Sequence, residues 1–166
     1  MGTLKPNYYL DSVFDIPYGK LWEDDIRGLI FDIDNTIAPY EEHEPNAKIT
    51  ALMRRLKGMG FQITLLTNNT NRRLNCFTKP LQIGGLANGA KPFARRVRRL
   101  MRQMNTTPRQ TAVIGDQLLA DVWAGKNAGT TTVLVKPITS KDLPFVNIKR
   151  RIEQRLLRRY YPNLIP

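Results

Sequence analysis

Asp32 and Asp34 stand one residue apart in GLIFDIDNTIAPY, residues 28–40, at the end of an oily run. A strand can bury Leu29, Ile30, Phe31 and Ile33, but an ionised carboxylate there must be paired or bind a cation. Two carboxylates at one spot also repel, so a positive group is expected between them. Residues i and i+2 of an extended segment share a side, and both can therefore face one ligand. Other polar residues stand at comparable places: Thr67, Asn68 and Asn69 after FQITLL, Asp116 after TAVIG, Asp121 five residues on, and Lys91 at the start of KPFARRVRRLMRQMN. Singly, each has a plain reading as a helix cap, a turn residue, a surface acid or an exposed lysine. Jointly they form a set of oxygen donors with one amine.

Several elements must bring these residues together. GLIFDID (28–34), FQITLLTNN (61–69), TAVIGD (111–116) and TTTVLVKP (130–137) read as strands. NAKITALMRRLKGMG (46–60), KPFARRVRRLMRQMN (91–105) and QLLADVWAGKNAG (117–129) read as helices, with a short helix or loop after residue 69. Near-continuous aliphatic strands alternating with helices imply a mainly parallel sheet covered on both faces, a three-layer α/β fold. Ligands of such sheets bind beyond the carboxyl ends of the strands, which is where every residue named above falls. The 166 residues read as one domain, with 1–25 and 140–166 expected outside the core.

Competing chemistries fail on residue type or spacing. His43 is the only histidine and sits in EEHEP, which reads as a solvated loop, so a multi-histidine metal site is excluded. Cys76 is the only cysteine, makes no internal disulfide and fits a reducing, cytoplasmic setting. Gln82 stands where a cysteine phosphatase loop would place arginine, and Ile63 where a dinucleotide fingerprint beginning at Gly58 would need its third glycine.

FDIDNT (31–36), LLTNN (65–69), Lys91-Pro92 and GDQLLAD (115–121) resemble, in that order, the four motifs of the haloacid dehalogenase (HAD) superfamily, over residues about 28–137. GLIFDIDNT, GDQLLAD and KNAG (126–129) are similar, more narrowly, to subfamily IIIA phosphatases of the YqeG type, which resemble phosphatidylglycerophosphate phosphatases. The resemblance implies a Rossmann-like HAD fold and a phosphoric monoester hydrolase working through an aspartyl-phosphate. Asp32 would attack phosphorus, and Asp34 would protonate the leaving oxygen and then activate water. Asp32, the backbone carbonyl of Asp34 and Asp116 would hold Mg²⁺, with Asp121 supporting the metal shell. Thr67 and the amide of Asn68 would bind phosphoryl oxygens, and Lys91 would balance charge on the nucleophile and the phosphoryl group. Each role is chemically apt: a carboxylate nucleophile splits a very slow hydrolysis into two steps, and hard oxygen donors suit Mg²⁺.

Roughly 30 residues separate the first two motifs and about two dozen lie between Thr67 and Lys91, both below the roughly 50 residues of a small domain, so a capless enzyme is expected. The net charge of +12 falls in two places. Residues 91–109 carry Lys91, Arg95, Arg96, Arg98, Arg99, Arg102 and Arg109 without an acid; residues 146–166 carry Lys149, Arg150, Arg151, Arg155, Arg158 and Arg159 against Glu153. Two basic patches imply an anionic partner. No apolar run reaches the ~18–20 residues of a transmembrane helix, the N-terminus lacks the pattern of a secretory signal, and Pro6 occupies the position where a myristoylation signal wants Ser or Thr.

NIKRRIEQRLLRRYYP (147–162) reads as a basic amphipathic helix over about 145–160, with Ile148, Ile152, Leu156 and Tyr160 four apart and Leu157 beside them. Two readings stay open: a terminal helix packed on the body with a solvated basic face, or an interfacial helix with arginines on anionic headgroups. The expected substrate is phosphatidylglycerophosphate at the inner face of the membrane. The alternatives are a nucleic-acid phosphatase or binding protein, disfavoured by the few aromatics near the basic runs, and a phosphatase of a soluble or protein phosphoester.

Overall fold

The computed structural model describes residues 4–88, 94–139 and 144–162, with side chains in the last segment described from Arg150 onward. Six strands of the described residues form one sheet: β1 (Tyr8–Leu10), β2 (Gly28–Phe31), β3 (Gln62–Leu66), β4 (Gly84–Leu86), β5 (Thr111–Gly115) and β6 (Thr131–Val135). Their order is β1-β6-β5-β2-β3-β4, and every neighbouring pair is parallel. Among the described residues six α-helices accompany them: α1 (Tyr18–Glu23), α2 (Ala47–Gly58), α3 (Asn71–Leu81), α4 (Ala94–Gln103), α5 (Trp123–Ala128) and α6 (Pro144–Tyr160). The result is an open α/β fold with an all-parallel sheet, as the alternation predicted, and Rossmann-like, as the resemblance implied.

Strand alternation distributes the core between two faces. Leu29, Phe31, Ile63, Leu65, Ile114, Val133 and Val135 join the cluster holding Leu21 of α1, Leu52, Met53 and Leu56 of α2, and Leu74 and Phe77 of α3. Ile30, Leu66 and Val113 point the opposite way, onto Val97, Leu100 and Met101 of α4 and Ala124 and Ala128 of α5. Leu134, also on that second face, packs with Leu118, Val122 and Leu157 of α6. The apolar face of α2 starts where Asn46 caps it, accepting from the Ile49 N–H at 3.0 Å.

The chain ends depart from expectation, because both contribute to the core. Tyr8–Leu10 adds an edge strand to β6, and Val13, Ile16, Tyr18 and Leu21 are buried behind it. At the other end Leu157 and Glu153 of α6 are buried. The short helix or loop expected after residue 69 is a helix, α3, of eleven residues, whose N-cap Thr70 accepts from the Arg73 N–H at 3.3 Å. The helix read over 117–129 begins instead as a π-helical turn, Leu118–Val122, before α5. His43 is exposed.

The chain runs from β2 to β3 on one side and later returns to β5 on the other, so β2 and β5 flank the switch point where parallel sheets bind ligands. Among the described residues no domain is inserted between β2 and β3, where α2 lies, or between β3 and β4, where α3 lies.

Candidate active site

Asp32 follows β2 directly and is held in the sheet by its own N–H, which donates to the Ile114 carbonyl at 2.9 Å. Asp116 follows β5, the neighbour of β2. One carboxylate oxygen each from Asp32, Asp116 and Asp121 lies within 4.8 Å of the others, and all three residues are buried. Thr36 sits between the first two: its Oγ1 is 3.2 Å from Asp32 Oδ2 and 3.2 Å from Asp116 Oδ1, so one hydroxyl proton serves two carboxylates. Three buried carboxylates so close could hold a cation, and a set made only of hard oxygens fits a divalent one.

Asp121 reaches this place because the strand end has no side chain in its way. A Cβ on Gly115 would stand 2.2 Å from the Asp121 carboxyl carbon, so only glycine lets that carboxylate fold back over β5. Its Oδ2 accepts from the Gln117 N–H at 3.1 Å. The π-helical turn that carries Asp121 widens the helix start, a distortion frequent at functional sites.

The Asp34 side chain belongs to a second group, at the end of β3. Asn69 Nδ2 donates to its Oδ2 at 3.1 Å, Thr67 Oγ1 lies 3.5 Å from the same oxygen, and Arg73 Nε donates to Oδ1 at 3.0 Å. Thr67 is buried and also accepts from the Asn69 N–H at 3.0 Å, whereas Asn68 is exposed. β4 shapes this loop, because the Thr67 N–H donates to the Leu86 carbonyl at 3.1 Å and the Asn88 N–H to the Asn69 carbonyl at 3.0 Å. Asn35, at φ 61, turns the chain between the two groups; its side-chain carbonyl accepts from the Thr139 hydroxyl at 3.0 Å, joining the loops after β2 and β6.

Seven of the eight residues singled out by sequence therefore stand at one sheet edge. The eighth, Lys91, lies outside the described residues. Two site arginines are not marked as such by the sequence: Arg73 is not singled out there, and Arg150 is counted only in the basic patch. Arg73 holds Asp34 from α3, stacks on Phe77 with its guanidinium carbon 4.7 Å from the ring centroid, and donates to the carbonyls of Pro39, at 3.0 Å, and Glu42. Arg150 of α6 donates to Asp116 Oδ2 at 2.5 Å and to the Asp116 backbone carbonyl at 3.3 Å. Both are embedded in runs of basic residues, where no local pattern separates a site arginine from a solvated one.

Glu153, one turn beyond Arg150, is also buried and accepts from the Leu119 N–H at 2.9 Å. Burial pushes its carboxyl up from 4.5 to about 7, with Asp116 and Asp121 adding to the rise. A carboxyl whose pKa rises on folding binds its proton more tightly in the native protein, so stability is lost as pH climbs from about 4.5 to 7. Glu153→Gln, which keeps an acceptor for Leu119, should remove that slope. Relative to the parent, the variant is expected to gain on the order of 3 kcal/mol between pH 4.5 and pH 8 in metal-free buffer. Urea unfolding of both proteins at the two pH values measures this directly, and equal pH dependence would refute it.

Comparison with known proteins agrees with this geometry. Residues 37–129 match the haloacid dehalogenase-like hydrolase family. The chain is 32% identical over 152 residues to the probable phosphatase YqeG of Bacillus subtilis, covering 92% of this chain and 88% of that protein. It is 25% identical over 137 residues to the glyceraldehyde 3-phosphate phosphatase of Pyrococcus furiosus, covering 77% of this chain and 55% of that one. Among solved structures, the cobalt-bound deoxy-D-mannose-octulosonate 8-phosphate phosphatase YrbI of Haemophilus influenzae superposes with a TM-score of 0.54 at 19% identity, over 84% of this chain and 90% of its own, a likeness of fold. With a family match over more than half its length and a phosphatase relative aligned over nearly all of it, the chain belongs to the haloacid dehalogenase-like hydrolases and is a phosphatase among them.

Proposed function

We propose that the protein hydrolyses a phosphomonoester through a covalent intermediate on Asp32, and that its substrate is phosphatidylglycerophosphate at the cytoplasmic face of a membrane. The observation that carries the chemistry is the meeting of Asp32, Asp116 and Asp121 beside an Asp34 held apart from them. An Asp32 oxygen attacks phosphorus while the bond to the ester oxygen breaks, and a proton on Asp34 passes to that leaving oxygen. Asp34, now ionised, takes a proton from water as the water oxygen attacks phosphorus, the bond to Asp32 breaks, and inorganic phosphate leaves. Arg73 and Asn69 fix the direction in which Asp34 delivers its proton.

Asp32, Asp116 and the backbone carbonyl of Asp34 would hold Mg²⁺, with Asp121 in support; when bound, the ion offsets the charge of the phosphoryl oxygens. Thr67 and the amide of Asn68 would bind those oxygens, and Lys91 would balance their charge. The Asp121 carboxylate stays close but is tied to the Gln117 N–H.

The lipid assignment rests on the cationic surface. Arg151, Arg155, Arg158 and Arg159 of α6 are exposed, as are Arg95, Arg98, Arg99 and Arg102 of α4, the helix that follows Lys91. Ile152 lies among the first group with 49% of its surface exposed. An open site beside such a surface suits a headgroup that stays in its bilayer. No helix among the described residues is long and apolar enough to cross a membrane, so contact would be peripheral. The Pyrococcus furiosus relative named for glyceraldehyde 3-phosphate makes a small soluble phosphoester the second reading.

Phosphate release measured side by side from phosphatidylglycerophosphate vesicles, phosphorylated oligonucleotides and small phosphoesters distinguishes these. A kcat/KM at least about tenfold higher on the lipid, worth ~1.4 kcal/mol of transition-state binding, is expected. A preference for either of the other two classes would replace the lipid assignment.

A further inference from the structure

Three residues on one face of α6, Arg150, Glu153 and Leu157, all contact the short stretch that runs from the end of β5 into the π-helical turn. The Arg150 fork takes both the side chain and the backbone carbonyl of Asp116. Glu153 accepts from the Leu119 N–H, one of the donors that every helix start leaves unpaired. Leu157 packs between Leu118, Val122 and Leu134. The spacing of three and four residues puts these contacts on successive turns of one helical stripe.

We propose that α6 is part of the metal-binding apparatus, with Arg150 as a positioning residue that orients Asp116 toward the cation shared with Asp32 and Asp121. The proposal rests on reading Asp116 as a metal ligand. A carboxylate on an unbraced loop end samples several rotamers. Here Oδ2 is anchored by Arg150, with Asp116 fully buried at its side chain and Arg150 only 15% exposed, which leaves Oδ1 on the side of Thr36 and Asp32. Lysine would supply charge but not the fork that grips carboxylate and carbonyl together.

An opposing effect has to be weighed. A guanidinium near a divalent cation repels it, and if repulsion ruled, removing Arg150 would tighten metal binding. The carboxylate stands between the two cations and attracts both, so loss of orientation is the effect expected to win. Losing a group that orients a ligand typically weakens metal binding 10- to 100-fold.

The test uses the full chain and Mg²⁺ itself, read by isothermal titration calorimetry and by the rise in Tm that the metal produces. Arg150→Met should raise the Mg²⁺ dissociation constant about 10- to 100-fold, Arg150→Lys should recover part of the loss, and kcat at saturating Mg²⁺ should change far less than the Mg²⁺ requirement. Unchanged or tighter Mg²⁺ binding in Arg150→Met overturns the proposal. Should Arg150→Met fail to fold, Arg150→Lys decides: affinity equal to the parent's overturns the proposal, and weakening supports it. Asp116→Asn separates the two readings. If it too leaves Mg²⁺ binding intact, the metal site has been misplaced; if it alone abolishes binding, only the role of Arg150 falls.

Discussion

Asp32→Asn is expected to cut phosphate release from any substrate by at least about a thousandfold while leaving the protein folded, because on the proposed mechanism one substitution removes both the nucleophile and a metal ligand. The fold should survive because the main-chain bond from Asp32 to Ile114 is untouched and an amide oxygen can still accept from Thr36. Stability in metal-free buffer should rise, if it changes, since one of three crowded buried anions is gone. Higher stability with lost activity is the usual signature of strain kept for function. Phosphate release and Tm, measured on the same preparation without metal, check both halves. More than a few per cent of residual metal-dependent turnover would rule out the covalent route.

The parts of the fold that could be read from sequence were those with enough residues to show a pattern. β2, β3, β5 and β6 are aliphatic runs of four or five residues, and their carboxyl ends already located Asp32, Thr67 and Asp116. β1 is three residues, Tyr8–Leu10, after a proline and an asparagine, too short to display periodicity; β6 supplies its hydrogen-bonding partner. β4 was hidden by Gly84 and Gly85, residues that weaken a strand on propensity. The structure explains Gly85: a Cβ there would stand 2.7 Å from Leu74 Cδ1 and 3.0 Å from the Leu65 carbonyl oxygen, so close packing between α3 and the sheet requires its absence.

The site divides in the same way. Motif residues sit at strand ends, and strand ends are legible. Arg73 and Arg150 arrive from helices whose register against the sheet is set only by tertiary packing, and their neighbours Arg72 and Arg151 are chemically identical and exposed. Arg150 was counted in the basic surface, whereas the structure turns it inward to Asp116. The expected apolar stripe of Ile148, Ile152, Leu156 and Tyr160 with Leu157 beside them is only partly the buried face: Leu157 is buried and Leu156 packs against the same cluster, but Glu153 is buried too, Ile152 is exposed, and Ile148 lies outside the described side chains.

That inward face changes how a membrane role for α6 can be tested. Deleting 147–166 would also remove Arg150, Glu153, Leu157 and the Tyr161 hydroxyl that donates to the Pro6 carbonyl at 3.0 Å, so Tm and turnover of every substrate should fall together. The informative variant changes only the outward face, with Arg151, Arg155, Arg158 and Arg159 all replaced by glutamine. At about 1 kcal/mol per basic residue near an anionic bilayer, the four together supply up to ~4 kcal/mol, so vesicle binding should weaken by roughly a hundredfold or more. Turnover of phosphatidylglycerophosphate in anionic vesicles should fall with it, while a small soluble phosphoester should be turned over within about twofold of the parent rate and Tm should hold, surface substitutions being worth about ±0.5 kcal/mol each. Parent binding should itself fade as salt rises, because exposed charges are screened over about 8–10 Å at physiological ionic strength. A residue of salt-resistant attachment is expected from Ile152, whose exposed apolar surface is available to lipid at ~25 cal/mol per Å². Were the quadruple variant to hydrolyse vesicle lipid as fast as the parent, the basic face of α6 would have no part in reaching the substrate, and the small-phosphoester reading would gain the ground that the lipid reading lost.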